Sequence, residues 1–330
     1  MMFTGHRGSQ MRRELLLLMA SLISRTAVGQ PVAPDPHLQA ISVPVLVESK
    51  GGEIVYGLSP DDFSIRDNGI EQKISLDTDS DIRSLSLVLV IQIGQNAAAR
   101  LPAIARLSSL LDGILTNPQD EVSIITFDSS PHTIQTFTAD TESIANAIAS
   151  ITPGNTGVAL FDTVDLAVSS LSKTPPTNHR VVLLISRDHD HGSVAANPDS
   201  LLRDVAAGNT SVYCLSSATG GKEVFAKLRS LSLLAVTANG IQRNAGEALA
   251  HLTGGDFYRF DTERQFEDRI TEIANHIRNR YSLTFRPSNP VPGFHSLEIA
   301  VSPSKANVVA SRTAYWILAT VPAADGGGTQ

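Results

Sequence analysis

The sequence predicts an α/β fold: a doubly wound, mostly parallel sheet flanked by helices, inserted in a small antiparallel β module formed by N- and C-terminal segments. Two observations carry this expectation. Between residues 83 and 280, continuous apolar runs alternate with stretches of helical periodicity, the grammar of strand and crossover helix. On either side, at 38–82 and 281–318, short runs of alternating polarity are punctuated by Gly, Pro and Asn, which marks antiparallel strands. With 330 residues the chain has room for two domains at about 100–200 residues each.

The first 29 residues read as a secretory signal. Arg12 and Arg13 precede the apolar run from Leu15 to Ile23, and Ala27-Val28-Gly29 places small residues where a signal peptidase reads, so cleavage is expected after Gly29. The apolar run is well short of the roughly 20 residues of a spanning helix, so no membrane span is expected after cleavage and the expected location is secreted or periplasmic. Met11 is an alternative start, and retention of the segment as an anchor is the competing expectation. Removing residues 1–29 takes away four arginines and Glu14, leaving 22 basic and 32 acidic residues and moving the charge from −7 to about −10. No run of clustered Lys and Arg offsets that acidity, so nucleic acid is not an expected partner. The single cysteine, Cys214, excludes an intramolecular disulfide and a multi-Cys zinc site, and its apolar surroundings suggest a small buried hydrophobe.

Residues 30–37, with Pro31, Pro34 and Pro36, form an expected linker. Strands follow at 38–47, 53–56, 63–67 and 72–76, with Asn68-Gly69 as a hairpin turn signal. From residue 85 to 91 the run is apolar throughout, as in a strand buried on both faces. A helix is expected at 97–115, then a strand at 122–127 and helices at 140–151 and 159–171. Strands at 181–185 and 211–215 flank a helix at 200–207, and helices at 245–252 and 263–280 enclose a short strand at 257–260. The chain then returns to β structure at 281–286, 296–301 and 306–314, and 319–330 is expected to be a mobile tail.

Three stretches resemble von Willebrand factor A-type domains, and more narrowly the exported acidobacterial proteins with a domain related to them. These are Gly57-Leu58-Ser59-Pro60-Asp61-Asp62-Phe63-Ser64-Ile65 with Asp67-Asn68-Gly69, the strand and loop at 85–96, and Tyr281-Ser282-Leu283-Thr284-Phe285-Arg286-Pro287. The resemblance covers roughly residues 38–316. It implies a divalent cation at the carboxyl edge of the sheet, held by an Asp-x-Ser-x-Ser loop, a Thr and an Asp, with an open position for a partner's carboxylate. This chain departs at each point. Gln92-Ile93-Gly94-Gln95-Asn96 has an amide for the carboxylate and no hydroxyls; Val158 stands in place of Thr, with Thr156 two residues before it; and Arg187 replaces the Asp. A fixed cation where the metal sits repels it by about 4 kcal/mol at an effective dielectric near 20, so the implied metal site is expected to be degenerate and no cofactor is expected. Arg187 is expected to pair with Asp188, Asp190 or Asp162, or to face an acidic partner.

In open α/β sheets ligands bind beyond the carboxyl ends of the strands. The candidate binding edge is therefore Gln92, Gly94, Asn96, Asp128, Val158, Arg187, Asp188 and Asp190, with Gln95, Ser129 and Ser216 beside them. Asp188-His189-Asp190-His191 contains metal-ligand types, but alternate residues of an extended segment give at most converging pairs, and a solvated loop is the expectation. Catalysis is not expected. The chain has no Gly-x-Ser-x-Gly elbow, phosphate loop or His-Glu-x-x-His, and Asp61-Asp62 is expected to cap a turn. The expected function is a non-enzymatic module that binds another protein. The alternatives are a structural component of an envelope or extracellular assembly, and metal-dependent adhesion through a remodelled site. Neither the partner nor the oligomeric state is legible.

Overall fold

The computed structural model describes residues 40–77, 83–94, 97–187, 189–217, 241, 244–302 and 306–318. The segments expected to be signal, linker and tail lie outside these residues, as do Gln95, Asn96 and Asp188.

Alternation of polarity near both ends produces strands with one buried side. From the N-terminal part come β1 (Ile41–Ser49), β2 (Phe63–Asp67), β3 (Ile70–Glu71) and β4 (Ile74–Asp77). Asn68 and Gly69 have φ of 47° and 81°, the left-handed pair that lets a two-residue turn follow strand twist, and Asp67 faces Ile70 across it. Pro60–Asp62 forms a 3₁₀ turn in which the Asp62 carboxylate accepts from Ser59 N at 2.7 Å and Ser59 Oγ at 2.8 Å, the capping role expected of the acidic pair.

At Leu85 the run becomes apolar on both sides. The central strands are β5 (Leu85–Gln92), β6 (Glu121–Phe127), β7 (Pro131–Thr138), β8 (His179–Ser186), β9 (Thr210–Ser216) and β10 (Phe257–Arg259). They form one sheet in the order β10-β9-β8-β5-β6-β7, parallel except for β7. The helices are α1 (Leu101–Ala105), α2 (Leu107–Leu110), α3 (Thr141–Ala149), α4 (Leu160–Leu171), α5 (Pro198–Ala207), α6 (Ala245–Thr253) and α7 (Glu263–Arg278). Val88 and Val90 of β5 pack with α4, α5 and α6 through Val164, Leu201 and Leu249. Leu87, Leu89 and Ile91 pack on the other face with Ile104, Ile144 and Ile270. Every residue of β5 is buried, which is why its sequence shows no alternation. Cys214 is buried, and a Cβ on Gly246 would lie 2.3 Å from its Sγ, so a glycine is what lets α6 approach β9.

The C-terminal strands β11 (Tyr281–Phe285), β12 (Gly293–Val301), β13 (Ala306–Ser311) and β14 (Ala314–Ile317) join the N-terminal ones in two antiparallel sheets, β13-β1-β11-β4 and β14-β12-β2-β3. Val43, Val45, Ile65, Leu283, Phe285 and Tyr315 share a core between them. That core also holds a polar cluster: His295 Nδ1 lies 2.8 Å from Asp67 Oδ1, and the Tyr315 hydroxyl donates to Asp67 Oδ2 at 2.7 Å. The fold class is therefore a mostly parallel α/β sheet with helices on both faces, inserted between the halves of an antiparallel module.

The structure departs from the expectations in four places, the first being 53–56, where the expected strand is a single bridge between Glu48 and Ile54. The helix expected at 97–115 is a series of short turns, 3₁₀ at Ala97–Arg100, then α1, α2 and 3₁₀ at Leu111–Gly113. Pro102, without an N–H, fits only in the first turn of a helix, so α1 starts at Leu101. Strand β7 is not among the strands the sequence predicts. The expected run at 306–314 is split, because β13 and β14 belong to different sheets and the chain crosses between them at Arg312 and Thr313.

Candidate functional site

The carboxyl ends of β5, β6 and β8 bring three loops against a fourth, at residues 152–159. Glycine permits the contact. A Cβ on Gly94 would lie 2.2 Å from Gly157 O, and one on Gly157 would lie 2.5 Å from Ser129 Cα. Backbone bonds tie the loops together: Gly154 N donates to Ile93 O at 2.9 Å, Ala159 N to Asp128 O at 2.6 Å and His191 N to Val158 O at 2.8 Å.

The acids of this edge are engaged by the loops themselves. Asp128 is buried; burial pushes its carboxyl up, but hydrogen bonds from Asn155 N, His132 and Ser130 N outweigh this and hold it below the ordinary carboxylate range. His132 Nε2 lies 3.2 Å from Asp128 Oδ1. Asp190 Oδ1 accepts from Phe161 N at 3.2 Å, in the first turn of α4, and from Ser193 Oγ at 2.6 Å. Asp162 accepts from the amides of Val194, Ala195 and Ala196. Neither carboxylate is turned to Arg187, contrary to the expected pairing with Asp162 or Asp190, because helix and loop amides claim both.

The donors of the edge are left over. Gln92 is fully buried at the end of β5; its Oε1 accepts from Arg187 N at 2.8 Å, while its Nε2 has no hydrogen-bond partner. Arg100 is 8% exposed, and its Nε and Nη2 have none either. Burial, and next the positive charge of Arg187, lower the Arg100 guanidinium to about 10. Arg187 itself is half-buried. The two guanidinium groups thus feel one another's charge beyond the ends of β5 and β8.

Of the residues expected at the edge, Gln92, Gly94, Asp128 and Arg187 meet there. Val158 is fully buried in the core cluster that also holds Val90 and Val164, and its carbonyl is taken by His191 N, so it offers the edge no side chain. Thr156 is exposed. Asp190 serves α4, and Asn96 and Asp188 lie outside the described residues. His189 and His191 are exposed, with ring centroids 6.1 Å apart. Sequence reasoning missed Arg100, which sits in a stretch taken for an ordinary helix, and His132, which sits on the missed β7. No local signal marks Arg100; only the topology carries it to Arg187.

Among the described residues, the side chains at Gln92, Val158 and Arg187 do not fit a hard divalent cation. Gln92 is neutral with its oxygen already used, Val158 has no side-chain oxygen, and two arginines supply positive charge. Among the described residues no group of three His, Cys, Asp or Glu side chains converges as metal ligands do.

Residues 93–190 match the family model described as von Willebrand factor type A domain, a span that runs from the loop after β5 to the loop after β8. Solved structures that align with the chain include BatB from Bacteroides thetaiotaomicron, at 17% identity and a TM-score of 0.43, covering 59% of this chain and 98% of that one. The vWF domain of the pilus tip protein Mfa5 from Porphyromonas gingivalis aligns at 10% identity and a TM-score of 0.43, covering 59% of this chain and 95% of that one. A von Willebrand factor type A protein from Catenulispora acidiphila aligns at 10% identity and a TM-score of 0.45, over 86% of this chain and 64% of that one. No curated protein matches.

Proposed function

We propose that the chain is an exported, non-enzymatic protein-binding module of von Willebrand factor A type, which engages an acidic partner through its carboxyl-edge loops without the usual divalent cation. The single observation that carries the reading is the set of unused donors: Arg100 Nε and Nη2 and Gln92 Nε2, beside Arg187. A buried donor without an acceptor costs about 1–3 kcal/mol, and more when charged. An incoming carboxylate removes that cost and supplies charge-assisted bonds to a planar fork that matches it. Export rests on the pattern at residues 12–29.

Two measurements test this. Calorimetric titration of the unmodified protein with Mg²⁺ or Mn²⁺ is expected to show no uptake; saturable uptake overturns the cation-free reading. Tagged protein exposed to periplasmic and culture fractions is expected to retain partners that Arg187→Glu loses, whereas Val309→Glu keeps them. The opposite pattern favours a structural role in an envelope or extracellular assembly through the β module, where Val309 leaves an apolar side chain 48% exposed on an outer strand.

A further inference from the structure

At the opposite end of the sheet, the amino ends of β8 and β9 meet β1 and β11 of the inserted-into module around a cavity of about 70 Å³. Five arginines line it, Arg83, Arg180, Arg278, Arg280 and Arg312, together with His179. A water needs only about 10–15 Å³ of such space, so a five-atom ion fits.

The positive charge is only partly matched. Arg278 pairs with Asp120, and Arg280 with Asp256 at 3.0 Å, a carboxylate shared with His276 at 2.8 Å. Arg180 and Arg312 bond to neutral oxygens instead. Arg180 donates to Thr174 O at 2.7 Å and to Thr174 Oγ1 at 3.3 Å; Arg312 donates to Ala314 O at 2.9 Å, to Ser42 O at 3.3 Å, and to Ala206 O and Asn209 Oδ1. Arg280 Nε and His179 Nε2 are buried without a hydrogen-bond partner. The imidazole registers the potential. Burial first, then the charges of Arg280, Arg278 and Arg83, lower His179 to about 4 against the opposing effect of Asp120.

We propose that this cavity is a binding site for one small oxyanion of the sulfate or phosphate kind, neutralised by the guanidinium groups that line it. The proposal is independent of the reading of the opposite edge. The ion offsets the charge of Arg180 and Arg312, whose acceptors named above are all neutral, and it locks β1 and β11 to the amino ends of β8 and β9.

The test uses the unmodified protein with sodium sulfate or inorganic phosphate at low millimolar concentration, against sodium chloride of equal ionic strength, because concentrated sulfate stabilises proteins nonspecifically. Calorimetry is expected to show one saturable site, with affinity reduced about tenfold in Arg180→Gln and in Arg83→Gln, the loss of one charge-assisted contact. Arg83 is only half-buried, so its variant keeps the test open should Arg180→Gln fail to fold. By NMR, the His179 titration midpoint is expected to rise from about 4 when sulfate is present. Glycerol phosphate separates the sources: binding as tight as inorganic phosphate assigns the site to a phosphate carried on a larger molecule, and exclusion assigns it to the free ion. Absence of saturable binding, equal affinity in both variants, or an unmoved His179 midpoint overturns the proposal and leaves the arginines as interdomain clasps.

Discussion

Gly94 shows how little freedom a single residue has at the carboxyl edge. Any side chain there meets Gly157 O at 2.2 Å, Asn155 O at 3.0 Å and Asp128 Cα at 3.2 Å, all backbone and unable to swing aside. Gly94→Ala is expected to destabilise by about 1–3 kcal/mol, the usual cost of overpacking, as a lower midpoint in urea. Since the displaced atoms belong to the loops that carry Asp128 and Asn155, which pack against the rest of the edge, the same variant is expected to weaken partner retention. An unchanged midpoint would mean that the four loops are not packed as described. At this scale the sequence told part of the story. The residue types at Gln92 and Arg187 are legible one residue at a time, whereas the surroundings of Arg100 and the orphaned Gln92 amide are properties of pairs.

Among the elements, β5 bears the most weight, since both of its faces are in core and it pairs with β6 and β8. Leu89→Ala, at 0% exposure and flanked by Ile124 and Leu183 in register, is expected to cost about 2–5 kcal/mol in chemical denaturation; less than 1 kcal/mol would contradict its central place. Continuous apolar runs made such strands easy to read. Strand β7 was not, because Pro131-His132-Thr133-Ile134-Gln135-Thr136-Phe137-Thr138 lies at the sheet edge, largely unburied, with two register shifts against β6, so its polarity carries no period of two. The broken helix at 97–113 has a related cause. Apolar spacing from Leu101 to Leu111 satisfies a helical template, but the template does not register where Pro102 and successive tight turns interrupt it.

On the scale of the molecule, the two halves of the β module and the inserted sheet meet at a seam of arginines, and this sets a pH window. His179 titrates at about 4 in the folded chain against 6.5 ordinarily, so the unfolded chain binds the extra proton between those values. Its contribution is complete above pH 6.5 and is lost as pH falls toward 4, on the order of a few kcal/mol. Asp128 and Asp256, both lowered, lose theirs only at pH below the ordinary carboxylate value of 3.8. Unfolding free energy measured from pH 7 to 4 is therefore expected to decline in the unmodified protein and to flatten in His179→Gln. A parallel decline in both would remove His179 as the cause.

The sequence by itself determined the class of the fold, the alternation that builds the sheet, the return of β structure at both ends and the residue types, Gln92 and Arg187, that stand at the ends of β5 and β8. Each of these is written in neighbours a few residues apart, where periodicity and residue type act directly on the backbone. Only the tertiary structure decided that Arg100 stands by Arg187, that Asp190 and Asp162 are consumed by amides, and that arginines from residue 83 to residue 312 surround one cavity. Those outcomes depend on which distant segments the sheet topology brings together, and electrostatic energy depends on distance in space, which no spacing along the chain records.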